Sequence, residues 1–262
     1  MQHITLPEGK KVYFLSDLHL GASYFPSRHD AERRVVAFLD SIADSAQAIF
    51  LVGDVLDYWY EYRYVVPRGF VRFFGKLAEL SDRGVEITWL IGNHDIWIFD
   101  YIPDELGVKV VDGSVTADIA GTKFFITHGD DIDDDSKSFR VLRSLFRNRL
   151  AQRLFAGIHP RWTIPFALGW SNRSRHNESR MSAAPSPAPF ERFVSRHHTD
   201  HPDISYYIFG HLHILHRSSP AEGVEMIVTG DWIDLCSYAE FDGHNLLLNT
   251  FTNEETPAER KE

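Results

Sequence analysis

Five short clusters carry the residue types that hold divalent cations: Asp17-Leu18-His19, Gly53-Asp54-Val55-Leu56-Asp57, Gly92-Asn93-His94-Asp95, Thr127-His128-Gly129-Asp130 and Gly210-His211-Leu212-His213. Carboxylate and amide oxygens mixed with imidazole nitrogens suit Mn²⁺, Fe²⁺ or Zn²⁺ better than Ca²⁺, which takes oxygen alone. In an Asp-x-His or His-x-His pair the outer residues point the same way along an extended segment, so both can address one site. The neighbouring glycines let backbone come close. One such triplet reads as an ordinary polar loop, but five in succession, each at the end of an apolar run, predict a shared centre. Histidines without such neighbours, such as His3, His29, His176, His197, His198, His201 and His244, read as surface or structural residues.

The elements that position these clusters alternate at first between strand and helix. Residues 11–16 and 48–52 read as strands, with a helix over 30–46 between them behind a capping Asp30. A second helix is predicted over 67–83, opened by Pro67 and closed by Gly84, and a third strand over 85–91. In open α/β sheets ligands bind beyond the carboxyl ends of strands, where all five clusters lie. From residue 108 short strands dominate, at 108–111, 114–119, 122–127, 204–209, 223–229, 233–240 and 245–251, with turns at Ala120-Gly121 and Asp242-Gly243. β-α units followed by runs of strands predict an α/β fold of two stacked sheets with helices outside. Residues 136–185 interrupt it as an insertion, helical at first, with Leu142, Leu145, Phe146, Leu150 and Leu154 on one stripe. Residues 182–189, with three prolines, read as its exit linker, and 252–262 as a charged, flexible tail.

At 262 residues and 44% apolar composition the chain can bury one large core, so 1–262 is expected to form a single domain. The single cysteine, Cys236, forms no internal disulfide, which favours a reducing compartment, and it reads as a core residue. Neither a signal peptide nor a spanning run of about 20 apolar residues is visible. A net charge of −10 argues against a whole-molecule nucleic-acid binder. Charge is nevertheless segregated: residues 136–185 hold ten basic side chains against one acid, net +9, leaving −19 on the rest. A basic helix followed by Trp162, Ile164, Phe166, Leu168 and Trp170 fits a surface that meets anionic lipid. The same composition fits a cap packed on its own domain, or arginines on nucleic-acid phosphates with stacked aromatics.

Taken in order over residues 15–213, the set Asp-x-His, Gly-Asp, Gly-Asn-His-Asp, His-Gly-Asp and Gly-His-x-His resembles the calcineurin-like metallophosphoesterase family. The resemblance implies a sandwich of two mixed β-sheets flanked by helices and a centre of two divalent metal ions, Mn²⁺ first, with Fe²⁺ or Zn²⁺ as substitutes. It assigns Asp17, His19, Asp54 and His213 to one metal and Asp54, Asn93, His128 and His211 to the other, with Asp54 as the bridge. His94 takes the family position that contacts the substrate phosphate and helps protonate the leaving group. Two cations roughly 3.5–4 Å apart clamp the attacking and leaving oxygens and acidify water, so hydroxide replaces a side-chain nucleophile. Asp57 and Asp95 read either as acceptors orienting ligand histidines or as helix caps. The five acids within 130–135 read as a third cation site or as a helix amino-terminal charge cluster.

The basic lid between His-Gly-Asp and Gly-His-x-His, together with Tyr58-Trp59 after Gly-Asp and the acid cluster leading into Phe139, is similar to the UDP-2,3-diacylglucosamine pyrophosphatases of lipid A biosynthesis. That similarity implies cleavage of a nucleotide-linked, acylated sugar into UMP and 2,3-diacylglucosamine 1-phosphate, peripheral attachment to the cytoplasmic face of the inner membrane through the lid, and no nucleic-acid partner. Arg173, Ser174, Arg175 and Asn177, closing the lid, are the candidate contacts to substrate phosphate or nucleotide. One departure stands out: the best-known members read Gly-Asn-Arg-Asp where this chain has His94. It leaves the metal donors intact and keeps two alternatives open, a phosphodiesterase or nuclease and a non-catalytic scaffold on the same fold. Against the scaffold, all seven donor positions are filled.

Overall fold

Strands that are apolar on both faces are built to lie between two layers, and the central strands of this chain are of that kind. The computed structural model describes residues 1–133, 137–167, 169 and 185–252. Along β2 (Lys11–Leu15), β3 (Ala46–Val52) and β4 (Glu86–Leu90), Phe14, Ala48, Phe50 and Leu90 face a second sheet, while Leu15, Ile49, Leu51 and Trp89 face helices. These strands and β5 (Lys109–Val111) run parallel, β11 (Ser237–Phe241) pairs antiparallel with β2, and β12 (Leu246–Thr250) pairs antiparallel with β11, giving the order β12-β11-β2-β3-β4-β5. The opposing sheet is ordered β1-β6-β7-β8-β10-β9, from Gln2–Ile4, Val115–Ile119, Thr122–Thr127, Tyr206–Phe209, Glu225–Thr229 and Leu215–Ser218. In it β7, β8 and β10 run parallel. Phe14 stacks on Phe50 in its own sheet, with ring centroids 5.3 Å apart, and on Phe124 across the interface at 5.7 Å.

Helices close both outer faces. α1 (Arg28–Ile42), α2 (Val71–Asp82) and α3 (Tyr101–Leu106) cover the first sheet, with Val35, Phe38, Leu39, Phe73, Leu77 and Ile102 buried beneath them. After β7 come α4 (Asp130–Asp133), α5 (Lys137–Arg147) and α6 (Arg149–Ala156), and α7 (Ala188–Asp200) covers the second sheet through Phe190 and Val194. The expected sandwich of two mixed sheets flanked by helices is therefore present.

Several boundaries differ from the sequence reading, each for a local reason. Ser27, not Asp30, caps α1 by accepting the Asp30 N–H, and Asp30 pairs with Arg33 at 2.6 Å instead. Pro67 does not open α2, because Phe70 adopts a left-handed conformation (φ 61) and the helix starts at Val71. Its amino terminus is capped from α1, where Glu32 Oε1 accepts the Arg72 and Phe73 N–H groups. The proline run is no simple linker: Pro187 is the cap of α7 and a proline fills its first turn, where a missing N–H costs nothing. The leucine stripe is split, since Asn148 ends α5 and caps α6 by accepting from Leu150 and Ala151. Phe146 turns onto Trp97, whereas Leu145, Leu150 and Leu154 stay exposed.

Helices α5 and α6 are docked by hydrogen bonds into their backbone and by ion pairs. Trp97 Nε1 donates to the Phe146 carbonyl at 2.9 Å and Tyr60 Oη to the Gln152 carbonyl at 2.6 Å, while Phe155 packs on both rings. Arg147 forks onto Asp112 with Nη2 at 2.8 Å, and Arg143 lies 3.4 Å from Asp130 and 3.3 Å from Asp131. Asp130 and Asp131 thus serve as lid anchors. Truncating Phe50 to Ala opens a cavity between the sheets and is expected to cost about 3–5 kcal/mol in urea unfolding; a loss below about 1 kcal/mol would show that this interface is not the stabilising core.

Candidate metal centre

Because β2, β3 and β4 run parallel, their carboxyl ends fall on one edge of the first sheet, and β7, β8 and β10 do the same in the second. All five clusters leave from those ends. The chain must turn sharply there: Asp17, His19, Asp54, His211 and His213 all have positive φ, between 43 and 70. Five side chains bearing Cβ in a region normally left to glycine store strain, and such strain concentrates at functional sites. Close approach explains two glycines. A Cβ on Gly53 would stand 2.4 Å from the His128 ring, and one on Gly92 would stand 2.2 Å from Asp54 Oδ1.

The seven predicted donors and His94 converge. His19 Nε2 and His213 Nε2 face each other at 3.1 Å, and they lie 3.8 and 3.4 Å from Asp17 Oδ1. Asp54 Oδ2 is 3.4 Å from His128 Nε2, 3.8 Å from His19 Nε2 and 3.9 Å from His94 Nε2. Asn93 Oδ1 meets His128 Nε2 at 3.2 Å. Three groups of donor atoms result, Asp17/His19/His213, His19/Asp54/His94 and Asp54/His128/His211, so Asp54 belongs to two and His94 lies close enough to join one. Arg173, Ser174, Arg175 and Asn177 lie outside the described residues.

Neighbouring groups fix which ring atom faces inward. His128 Nδ1 donates to the Val52 carbonyl at 2.9 Å and His94 Nδ1 to the Asp57 carbonyl at 3.1 Å, which leaves each Nε2 toward the cluster. Asp57 Oδ1 lies 3.7 Å from His19 Nδ1 and 3.6 Å from His94 Nδ1, in the orienting role. Asp95 neither orients a histidine nor caps a helix; it accepts from Gly92 N, Val55 N and Trp89 Nε1 and ties the third cluster to the second. Burial raises the Asp95 carboxyl to about 6, with the Asp54 charge adding to the effect.

Burial opposes charge on Asp54 and His128 alike, yet each holds the other ionised. The Asp54 carboxyl sits well below its ordinary range and the His128 imidazole well above. His213 is also raised, since Asp17 and Asp231 outweigh its burial. Burial lowers His19, and it pushes His211 down to about 3, so those rings are neutral and ready to donate a lone pair. Asp17 Oδ1 is buried and accepts no hydrogen bond from the described residues. A carboxylate oxygen without a donor, two imidazole nitrogens aimed at each other and one carboxylate common to two groups fit a pair of divalent cations.

Asp231 went unnoticed in the sequence because it stands outside every motif. It follows β10, its Oδ1 accepts the N–H groups of Ile233, Asp234 and Leu235, and its Oδ2 lies 3.5 Å from His213 Nδ1. Asp112 and Tyr60, which hold the lid, were missed for the same reason; an aspartate after a strand or a tyrosine in an aromatic run carries no signal of its distant partner.

A family model described as Calcineurin-like phosphoesterase matches residues 10–215. The chain belongs to the calcineurin-like phosphoesterase family and is a hydrolase of that class. It is 42% identical over 259 residues, covering 94% of this chain and 99% of the relative, to a UDP-2,3-diacylglucosamine hydrolase from Porphyromonas gingivalis. A protein of the same name from Neisseria meningitidis serogroup A is 27% identical over 89% of this chain and 95% of the relative. Among solved structures, the phosphoesterase Yfce from E. coli matches with a TM-score of 0.44 at 16% identity, over 90% of each chain.

Replacing Gly92 with Ala is expected to displace Asp54 and to reduce bound divalent metal at least twofold, measured by mass spectrometry of protein equilibrated with Mn²⁺. Full metal content in a folded Gly92→Ala protein would remove Asp54 from the donor set.

Proposed function

We propose that this chain hydrolyses UDP-2,3-diacylglucosamine to UMP and 2,3-diacylglucosamine 1-phosphate with two Mn²⁺ ions. The observation that carries the reading is the single buried cluster joined through Asp54, in a chain that aligns almost end to end with a hydrolase named for that substrate. Asp17, His19, Asp54 and His213 would hold one cation, and Asp54, Asn93, His128 and His211 the other. Bound there, the cations supply Lewis-acid stabilisation of phosphoryl charge and acidify water. His94, held through Nδ1 and half-buried at the rim, contacts the phosphate and delivers a proton from Nε2 to the leaving oxygen. Asp57 positions His19 and His94 together. Hydrogen bonds donated by His128 Nδ1 and His94 Nδ1 to the Val52 and Asp57 carbonyls keep the rings from turning as substrate binds and leaves.

In this reading residues 1–262 are one catalytic domain with the lid at 136–185, working in the cytoplasm at the membrane face. No helix among the described residues is long and apolar enough to cross a membrane. The lid supplies another means of contact: Leu150, Leu154, Trp162 and Phe166 are 67%, 68%, 69% and 66% exposed. Arg143 and Arg147 are committed to carboxylates of the core, whereas the side chains of Arg149, Arg153 and Arg161 form no ion pair with the described residues and are available to lipid headgroups.

Purified protein is expected to release UMP from UDP-2,3-diacylglucosamine with Mn²⁺, to stop on chelation, and to lose roughly 10³-fold in kcat/KM on Asp54→Ala. Turnover of a generic phosphodiester in preference to the lipid would favour a phosphodiesterase instead. Reversing Arg149, Arg153 and Arg161 to Glu should weaken sedimentation with phosphatidylglycerol vesicles by roughly tenfold or more, each cation near such a surface contributing about 1 kcal/mol. Unchanged sedimentation would leave the lid without a membrane role.

A further inference from the structure

Beside the metal centre lies a second feature that its chemistry does not use. Asp57, which faces His19 and His94, also lines a cleft of about 270 Å³ between the start of α1, the 67–70 loop and the lid residue Ile164. Pockets that take a whole small molecule run from about 300 to 1,000 Å³, so this one accommodates part of a larger substrate. Arg28, Arg68 and His29 line it together with the Glu32 carboxylate, which is already engaged by His29, Arg72 and the amino terminus of α2, so the cations it leaves to a ligand are the two arginines. Both arginines are exposed, and neither forms an ion pair or hydrogen bond with the described residues. By contrast Arg72, Arg143 and Arg147, on neighbouring elements, are each spent on a carboxylate. Tyr58 and Phe70 supply ring faces. Phe70 is held at φ 61, a conformation unfavourable for a bulky residue unless its surroundings impose it.

We infer that this cleft is the subsite for the uridine 5′-monophosphoryl half of the substrate, an assignment that rests on the proposed hydrolase reading. Guanidinium groups match phosphate and carbonyl oxygens in geometry and charge, and aromatic faces match a pyrimidine ring. An acyl chain gains nothing from two unpaired cations, and none of the exposed leucines of α5 and α6 lines the cleft. Because Asp57 lines the subsite and also lies 3.7 Å from His19 and 3.6 Å from His94, a nucleotide held there sits on that side of the cluster.

The test is isothermal titration of UMP into Mn²⁺-loaded wild type and into an Arg28→Ala/Arg68→Ala double variant, alongside kinetics on UDP-2,3-diacylglucosamine. Removing two charge-assisted contacts should weaken UMP binding by roughly tenfold or more, with the kinetic loss falling on KM rather than kcat and metal content unchanged. The Arg28→Lys/Arg68→Lys protein should recover part of the UMP affinity, which a merely misfolded variant would not predict. Equal UMP affinity in wild type and double variant overturns the subsite, as does a variant that loses affinity for 2,3-diacylglucosamine 1-phosphate but keeps it for UMP. A wild type that binds UMP through these arginines yet leaves the lipid uncleaved supports the subsite and sinks the hydrolase assignment, so the two claims fail separately.

Discussion

Asp54 shares one carboxylate among three imidazoles, His128, His19 and His94, at 3.4, 3.8 and 3.9 Å, and its second oxygen accepts the His94 N–H at 2.8 Å. Those partners come from the ends of β7, β2 and β4, on two different sheets. A buried carboxylate so surrounded keeps its charge where burial alone would neutralise it. The arrangement tolerates little displacement, because a small shift of either sheet separates Asp54 from His128, the partner that opposes its burial most. The packing between the sheets therefore sets the geometry of the site. Phe14, stacked on Phe50 within its sheet and on Phe124 across the interface, holds the strand that leads to Asp17 and His19 against the strand that leads to His128.

The same constraint explains the backbone around the cluster. Stacked sheets lie about 10 Å apart, too wide for short side chains at the carboxyl ends of the two sheets to meet unless the chain curls inward at once. Positive φ at Asp17, His19, Asp54, His211 and His213 provides that curl, and the bare α-carbons at Gly53 and Gly92 leave the space into which the His128 ring and the Asp54 carboxylate fit. Strain of this kind persists only when the surroundings over-determine it. Asp231 shows how that is done. Tied by Ile233, Asp234 and Leu235 on one oxygen, it directs the other at His213, while the Trp232 N–H donates to the Asp17 carbonyl at 3.1 Å. One loop, crossing from β10 to β11, thereby steadies a donor from each sheet.

What could be read in the sequence was the chemistry that each residue carries by itself. Asp, Asn and His at strand ends announce metal donors wherever the strands go, and strands apolar on both faces announce a layer on either side. What could not be read was pairing at long range. Glu32 caps a helix some 40 positions away, Asp95 spans two clusters, and Asp231 supports a histidine with no motif to link them. Asp30 looked like a cap because aspartate suits that position, yet Ser27 suits it equally and lies where the chain is still extended. The leucine stripe failed for the opposite reason: periodicity was correct within each turn, but Asn148 offers its side chain to the backbone and ends the register.

The lid combines two kinds of attachment that do not compete. Trp97 and Tyr60 hold it by backbone carbonyls, and the Phe146 carbonyl is among those that the last turn of α5 leaves without a helical partner. Such anchors depend on where the helix ends rather than on which side chains it bears. The ion pairs take Arg143 and Arg147 toward Asp130, Asp131 and Asp112 and offset part of the charge imbalance between lid and core. Docking consequently makes no demand on Leu150, Leu154, Trp162 or on the arginines at 149, 153 and 161. These exposed residues retain their apolar surface and positive charge in the folded chain, which is the condition an insertion must meet if it is to be held firmly on its own domain and still have a face left for something else.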